Sequence, residues 1–171
     1  KQKALSSAKE GTVVVANEQT NGKGSKGRSF ISLNGGIYMS ILVRPDFQNF
    51  DTTLITSLTA VAVSDSIEEK CGKKTQIKWV NDVLLQNKKV CGILCESVFA
   101  SDNKPEFVIV GIGINFSKPK DDFPDEIKDI ATYIFENSDI QIKKQLRVNI
   151  KNNKHIYNFL ITFINFQLPF L

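Results

Sequence analysis

Short β-branched runs set between Gly- and Asn-rich turns, with one long helical stretch among them, leave this chain few architectures. Residues 12–18 (TVVVANE) read as a buried strand that stops at a loop over 19–29. Gly35 and Gly36 mark a turn, and 37–43 (IYMSILV) reads as a strand closed by Pro45. From Asp51, a good N-cap, Leu54, Ile55, Leu58, Val61 and Ala62 recur at helical intervals, and Gly72 lies just past the end. That pattern predicts a helix over 51–70. Residues 76–79 predict another strand, 83–86 and 89–98 a hairpin about Gln86, Asn87 and Lys88, and 107–114 a strand that runs into GIGIN. After Pro124 the spacing predicts helices over 125–136 and 141–163, then an apolar tail. There is no internal repeat and no linker. Strands on both sides of one helix, with further helices at the end, predict an α+β fold rather than regular alternation.

A chain of 171 residues that is 42% hydrophobic is the right size for one globular domain. Such a domain buries roughly 70% of its extended surface and needs no disulfide or structural metal. Three cysteines (Cys71, Cys91, Cys95) and a distant His155 do not make a four-ligand zinc site, and they read as buried or free thiols in a reducing compartment. No run of 18 apolar residues exists and no apolar signal core opens the sequence, so neither membrane spanning nor secretion has support. The net charge of +4 comes from 22 basic and 18 acidic residues, interspersed as in Glu68, Glu69 and Lys70. Charge mixed in this way describes a solvated surface rather than a nucleic-acid face. Position 1 is Lys and the single Met is Met39, so the sequence is expected to be an N-terminally truncated piece of a longer product.

Residues 22–27, GKGSKG, satisfy the dinucleotide-binding pattern G-x-G-x-x-G and follow a strand. That pattern must open directly into a helix whose N–H groups face the pyrophosphate, whereas here a β-branched run follows. Extended to Ser29, the segment is one substitution from a P-loop, but Arg28 replaces the phosphate-bridging Lys and again no helix follows. The loop chemistry survives both rejections. Gly22, Gly24 and Gly27 let backbone approach a ligand closely, and Lys23, Lys26 and Arg28 place three cations in six residues. Such a segment either closes over an anion or is a solvated turn.

Two further segments resolve the choice. QTNGKGSKGRSFIS (19–32) resembles the Q-T-x-G-R/K-G-R-x-G-R-x-W-x-S segment of biotin protein ligases. KWVNDVLLQNKKVCGILCE (78–96) is similar to their K-W-P-N-D and K-x-x-G-I-L-x-E, and VIVGIGIN (108–115) to their G-x-G-x-N strand end. Order and spacing agree across about six-tenths of the chain. The resemblance implies a mostly antiparallel mixed sheet flanked by helices, the catalytic-domain fold that biotin and lipoate ligases share with class II aminoacyl-tRNA synthetases. It also implies a two-step ligase. The biotin carboxylate attacks the α-phosphorus of ATP, and an acceptor lysine then attacks the mixed anhydride.

Both transition states gather negative charge, which fixed cations must offset where water cannot screen them. The resemblance assigns Lys89 the catalytic role, bonding the biotin carboxylate and then the adenylate; unaided, it reads as an exposed turn lysine beside Lys88. The implied biotin set is Gln19, on the ureido end, with Gly22, Lys23, Lys89, Gly92, Gly111 and Gly113. The implied ATP and adenylate set is Lys23, Gly24, Lys26, Gly27, Arg28, Phe30, Lys78, Trp79, Asn81 and Asn115. Asp82 is the implied Mg²⁺ ligand, as a lone carboxylate beside substrate phosphates. By their own chemistry the two Asn residues read equally as turn caps, and Trp79 as a core ring.

The implied partners are biotin, ATP with Mg²⁺ and a biotin carboxyl carrier domain, with homodimerisation left open and neither nucleic acid nor membrane. A cytoplasmic location follows, with an organelle form open because the start is missing. The sequence also departs from the family pattern. Phe30 replaces Trp, Val80 replaces Pro, and Ser25 stands where Arg is common in the loop over the adenylate. A hydroxyl has neither charge nor bidentate reach, so a looser hold on the intermediate is expected. The upstream Ser-Thr pair of the biotin pocket has only a poor echo in Ser6 and Ser7, and neither a C-terminal β-barrel nor a DNA-binding domain is expected. Two alternatives differ in chemistry: a lipoate or octanoate ligase, which would lack the GKGSKGR loop, and a biotin-binding remnant without turnover.

Overall fold

The computed structural model describes residues 7–44, 52–102, 105–120 and 122–153. Strand β1 (Val13–Ala16) is followed by a loop carrying a single 3-10 turn at Ser25–Gly27, then β2 (Ile37–Val43) and helix α1 (Thr52–Cys71). Strands β3 (Gln76–Lys78), β4 (Asp82–Leu85), β5 (Lys88–Phe99) and β6 (Pro105–Ile114) follow, and α2 (Ile140–Asn152) closes the described chain. The strands form one six-stranded sheet in the order β1-β2-β6-β5-β4-β3. All five ladders are antiparallel, and among the described residues parallel pairing occurs only at the isolated bridges Lys89–Ala131 and Ser117–Phe135. The α+β expectation therefore holds.

Each element has a local cause. Alternation along β2 turns Ile37, Met39, Ile41 and Val43 to one face, where they join Ile112, Ile114, Cys91 and Val83 in a core completed by Ile55, Val63 and Ile67 of α1. Two buried hydroxyls of α1 reach carbonyls one turn back in the helix, Thr59 that of Ile55 at 2.7 Å and Ser66 that of Ala62 at 2.6 Å, while Ser64 bonds Thr75 beyond the helix end at 2.7 Å. Gly72, at φ +64°, stops the helix in the left-handed conformation that glycine adopts most easily, with its N–H on the Glu68 carbonyl. Gln86 and Asn87 have φ of 50° and 64°, the two left-handed residues that a tight β4–β5 hairpin requires. The Asp139 carboxylate caps α2 by accepting from the Gln141 and Ile142 N–H groups at 2.8 and 3.0 Å.

The helix predicted over 141–163 ends at Asn152, where Asn153 turns to extended backbone and returns its N–H to the Ile150 carbonyl, and two further expectations are corrected. Residues 12–18 do not make a buried strand, because β1 is the sheet edge and leaves Val14 48% and Val15 45% exposed. No helix covers 125–136. The Pro124 carbonyl accepts from Ile127 and Lys128 in turns over 125–130, but the N–H groups of Thr132, Ile134 and Phe135 then go to Lys89, Asn115 and Phe116 carbonyls. Backbone partners at the sheet margin outcompete the i−4 carbonyls that a helix would use. The predicted Asp51 cap, the Pro45 stop and everything from 154 onward, including His155, lie outside the described residues. Among the described residues no helix is long and apolar enough to cross a membrane.

The thiols of Cys71, Cys91 and Cys95 are all free. Burial pushes Cys71 and Cys95 up to about 11, and raises Cys91 as well. Neutral thiols are poor nucleophiles, so thiol-specific labelling of the native protein at pH 8 is expected to be slow and to accelerate as pH approaches 11. Full denaturation should release three fast equivalents, and rapid native labelling of all three at pH 8 would contradict the packing.

Candidate active site on the open sheet face

The antiparallel registers align one residue from each strand on the face turned away from α1. Ala16 lies opposite Tyr38, Tyr38 opposite Gly113, Gly113 opposite Gly92, Gly92 opposite Asp82, and Asp82 opposite Lys78. Two adjacent glycines thus bare the sheet backbone at the middle of the row. The Phe30 ring fills that space: a Cβ on Gly113 would come 2.5 Å from Phe30 Cε1, and one on Gly92 would come 2.7 Å from Cε2. Neither position admits a side chain while the ring is there. Tyr38 meets Phe30 edge-on at 6.5 Å between centroids and donates its hydroxyl to the Leu33 carbonyl at 2.6 Å, and burial raises its pKa. Gly111, two residues earlier on β6, has a looser demand, since its Cβ would meet the Leu94 carbonyl at 3.3 Å and nothing nearer.

Strict alternation would put Lys89 on the opposite face from Gly92. Val83 pairs with Cys91 but Leu84 pairs with Lys89, so β5 carries one extra residue, Val90. This β-bulge re-aims the lysine onto the open face. A Cβ on Gly92 would lie 3.0 Å from Lys89 Cε and 3.1 Å from its Nζ. The Lys89 ammonium stands 2.6 Å from Asp82 Oδ1 and 5.7 Å from the Phe30 ring centroid. Asp82 Oδ1 is buried and, despite the close ion pair, accepts no well-aligned hydrogen bond.

The glycine loop reaches over this face as an irregular hairpin. Isolated bridges join Gln19 to Ser32 and Lys23 to Ser29, and the Phe30 N–H donates to the Gly22 carbonyl at 2.8 Å. Gly22 is required at the neck, where a Cβ would meet the Phe30 carbonyl and lie 2.6 Å from Ser32 Oγ and 3.0 Å from Gln19 Oε1. At the tip, Lys26 and Gly27 have φ of 57° and 75°. Arg28 is turned back into the loop, donating from Nε to the Ser25 carbonyl at 3.3 Å and from Nη2 to Ser25 Oγ at 3.2 Å. Gly24 donates to the Arg28 carbonyl at 2.7 Å, and exposed Lys23 pairs with Glu96 at 3.9 Å. Lys23, Lys26 and Arg28 are all exposed on the rim.

Of the residues proposed from sequence, Phe30, Lys89, Gly92, Gly113 and Asp82 converge within direct contact, and Gly22 anchors the loop that carries Phe30. Lys78 ends the same cross-sheet row and is exposed. Trp79 is 76% exposed, so it is no core ring. The Asn81 amide donates to the Ile93 carbonyl at 3.4 Å, and that of Asn115 to the Lys89 carbonyl at 3.4 Å. Sequence reasoning missed Tyr38, the Val90 bulge and residues 130–132, which flank Lys89 through backbone bonds. Strand alternation at Tyr38 was a usable signal. Backbone contacts leave none in the side-chain pattern.

A family model described as "Biotin/lipoate A/B protein ligase family" matches residues 1–115. The chain is 46% identical over 142 residues to the bifunctional ligase/repressor BirA of Bacillus spizizenii, covering 82% of this chain and 43% of that protein. It is 48% identical over 130 residues to BirA of Bacillus subtilis, covering 75% of this chain and 40% of the relative. The biotin protein ligase of Aquifex aeolicus in complex with biotin and ATP superposes with a TM-score of 0.74 at 33% identity, over 95% of this chain and 66% of that one. The chain thus spans less than half the length of the two Bacillus relatives.

The packing of Phe30 on the glycine floor makes a direct prediction. Gly113→Ala should destabilise the protein by about 1–3 kcal/mol in urea denaturation, through collision with the ring. In a Phe30→Ala background the same substitution should cost under about 1 kcal/mol, and an undiminished cost would refute the contact.

Proposed function

This chain belongs to the Biotin/lipoate A/B protein ligase family, and from that membership we propose that it activates biotin with ATP to biotinyl adenylate and transfers the biotinyl group to a lysine of a biotin carboxyl carrier domain, in the cytoplasm. The observation that carries this reading is the convergence of Lys89, Asp82 and Phe30 on two bare glycines of the sheet. The half-buried Phe30 ring seated on that floor suits a small ring ligand packed against it, and one aimed ammonium beside it suits that ligand's carboxylate. The Lys23, Lys26 and Arg28 rim suits a triphosphate.

In the first step a carboxylate oxygen of biotin bonds to the α-phosphorus as the bond to the pyrophosphate oxygen breaks. Two anions must meet, and Lys89 offsets their repulsion by moving from Asp82 to the carboxylate–phosphoryl junction. In the second step the neutral amine of the acceptor lysine attacks the acyl carbon, AMP leaves with the bridging oxygen, and the nitrogen's surplus proton passes to solvent. Lys89 then stabilises the oxyanion and the departing phosphate. Among the described residues no group of three His, Cys, Asp or Glu side chains could cage a metal. Asp82 nevertheless fits Mg²⁺ as a single protein ligand, because its buried Oδ1 lacks an aligned donor. There Mg²⁺ would neutralise phosphate charge.

Biotin-dependent exchange of radiolabelled pyrophosphate into ATP tests the reading. Exchange is expected with biotin and not with octanoate, and Lys89→Ala should lower it by about 10²–10³-fold. Octanoate-supported exchange, or biotin binding without exchange, would overturn it. Ser25 generates a second prediction, because its hydroxyl only tethers Arg28 within the loop. Ser25→Arg should lengthen the half-life of bound adenylate in a chase with unlabelled ligand, and an unchanged half-life would rule out a role for this position.

A further inference from the structure

We propose that Lys89 is aimed by a clamp on its own backbone, in which Asn115 is the positioning residue and residues 130–132 form the second strut. The bulge at Val90 interrupts the β4 ladder, and β6 ends at Ile114, opposite Cys91. Val90 therefore lacks a β4 partner and residues 89 and 90 both lie past the last β6 partner, so ladder pairing holds Lys89 on one side only, against Leu84. A lysine on such a backbone would swing, because a small tilt at Cα is amplified along four methylenes.

Other groups take over the missing bonds. The Lys89 N–H donates to the Ile130 carbonyl at 2.8 Å, and the Lys89 carbonyl accepts from the Thr132 N–H at 2.9 Å and from Asn115 Nδ2 at 3.4 Å. The Asn115 N–H donates to the Val90 carbonyl at 2.8 Å, and the Asn115 carbonyl accepts from the Ile134 N–H at 3.1 Å. Asn115 is only 8% exposed, so its amide is committed within the protein. The nucleotide contact that family resemblance implies for Asn115 concerns adenine or phosphate, whereas this role acts through Lys89 on the ligand's carboxylate. The second strut lies beyond residue 115, outside the segment that the family model matches. The inference rests on the reading of Lys89 as the partner of the biotin carboxylate.

Calorimetry with the full chain separates the two roles, using biotin and biotin methyl ester, which keeps the rings and loses the charge. Asn115→Ala is expected to weaken biotin about fivefold, one hydrogen bond's worth of aim, and to leave the ester within about twofold. In a Lys89→Ala background the same substitution should change biotin affinity less than about twofold, since the group it aims is gone. Thr132→Pro removes the other donor to the Lys89 carbonyl without touching Asn115 and should reproduce the selective loss, which keeps the test open if Asn115→Ala does not fold. Equal weakening of biotin and ester, or a loss that persists without the Lys89 ammonium, overturns the clamp alone. Failure of the unsubstituted chain to bind biotin overturns the biotin reading and the clamp with it.

Discussion

Two glycines abreast in the sheet are the constraint on which the open face depends. The β5–β6 register sets Gly92 opposite Gly113, and together they remove two side chains from the middle of a six-strand row. Glycine within a strand weakens it, through lost packing and larger backbone entropy in the unfolded chain. Here the loss is local, and it is recovered in part by an aromatic ring lying directly on the backbone. The ring fixes where the loop enters, the loop fixes where its cations stand, and the ring edge borders the Lys89 ammonium. A side chain at either glycine would displace all three.

The sheet divides stability and chemistry between its faces. One face carries Ile37, Ile114, Cys91 and Val83 in a continuous apolar row against α1, and that burial holds the fold together. The other carries glycines, an ion pair and a buried carboxylate oxygen without an aligned donor, features that cost stability or contribute little of it. An alternating strand can serve both at once because its side-chain period is two. The exception is Lys89, whose residue number puts it on the wrong face. One inserted residue, Val90, moves it across, and β5 keeps both its apolar core contacts and its charged end.

Much of this was legible in the residues. The β-branched runs located the strands, helical spacing and Gly72 located α1 with its end, and Gln86–Asn87 located the hairpin. The loop cations and the GIGIN glycines announced an anion beside bare backbone. The errors have one cause. Residues 125–136 carry apolar spacing that suits a helix, yet Thr132, Ile134 and Phe135 lie beside backbone at the sheet margin that claims their hydrogen bonds. Residues 12–18 are as β-branched as a central strand, but position in the sheet, not composition, made β1 an edge.

Residue types and their spacing along the chain decided the chemistry on offer: cations in a glycine loop, a lysine at a hairpin, a carboxylate four residues after Lys78. Short-range spacing suffices there because turns, caps and strand alternation are local. Only the folded sheet decided that Asp82, Gly92 and Gly113 share one row, that Val90 turns Lys89 toward them, and that Asn115 and Thr132 hold it there. Those relations are set by register between strands and by bonds to main-chain atoms. Main-chain atoms are the same for nearly every residue type, so no pattern of side chains reports them.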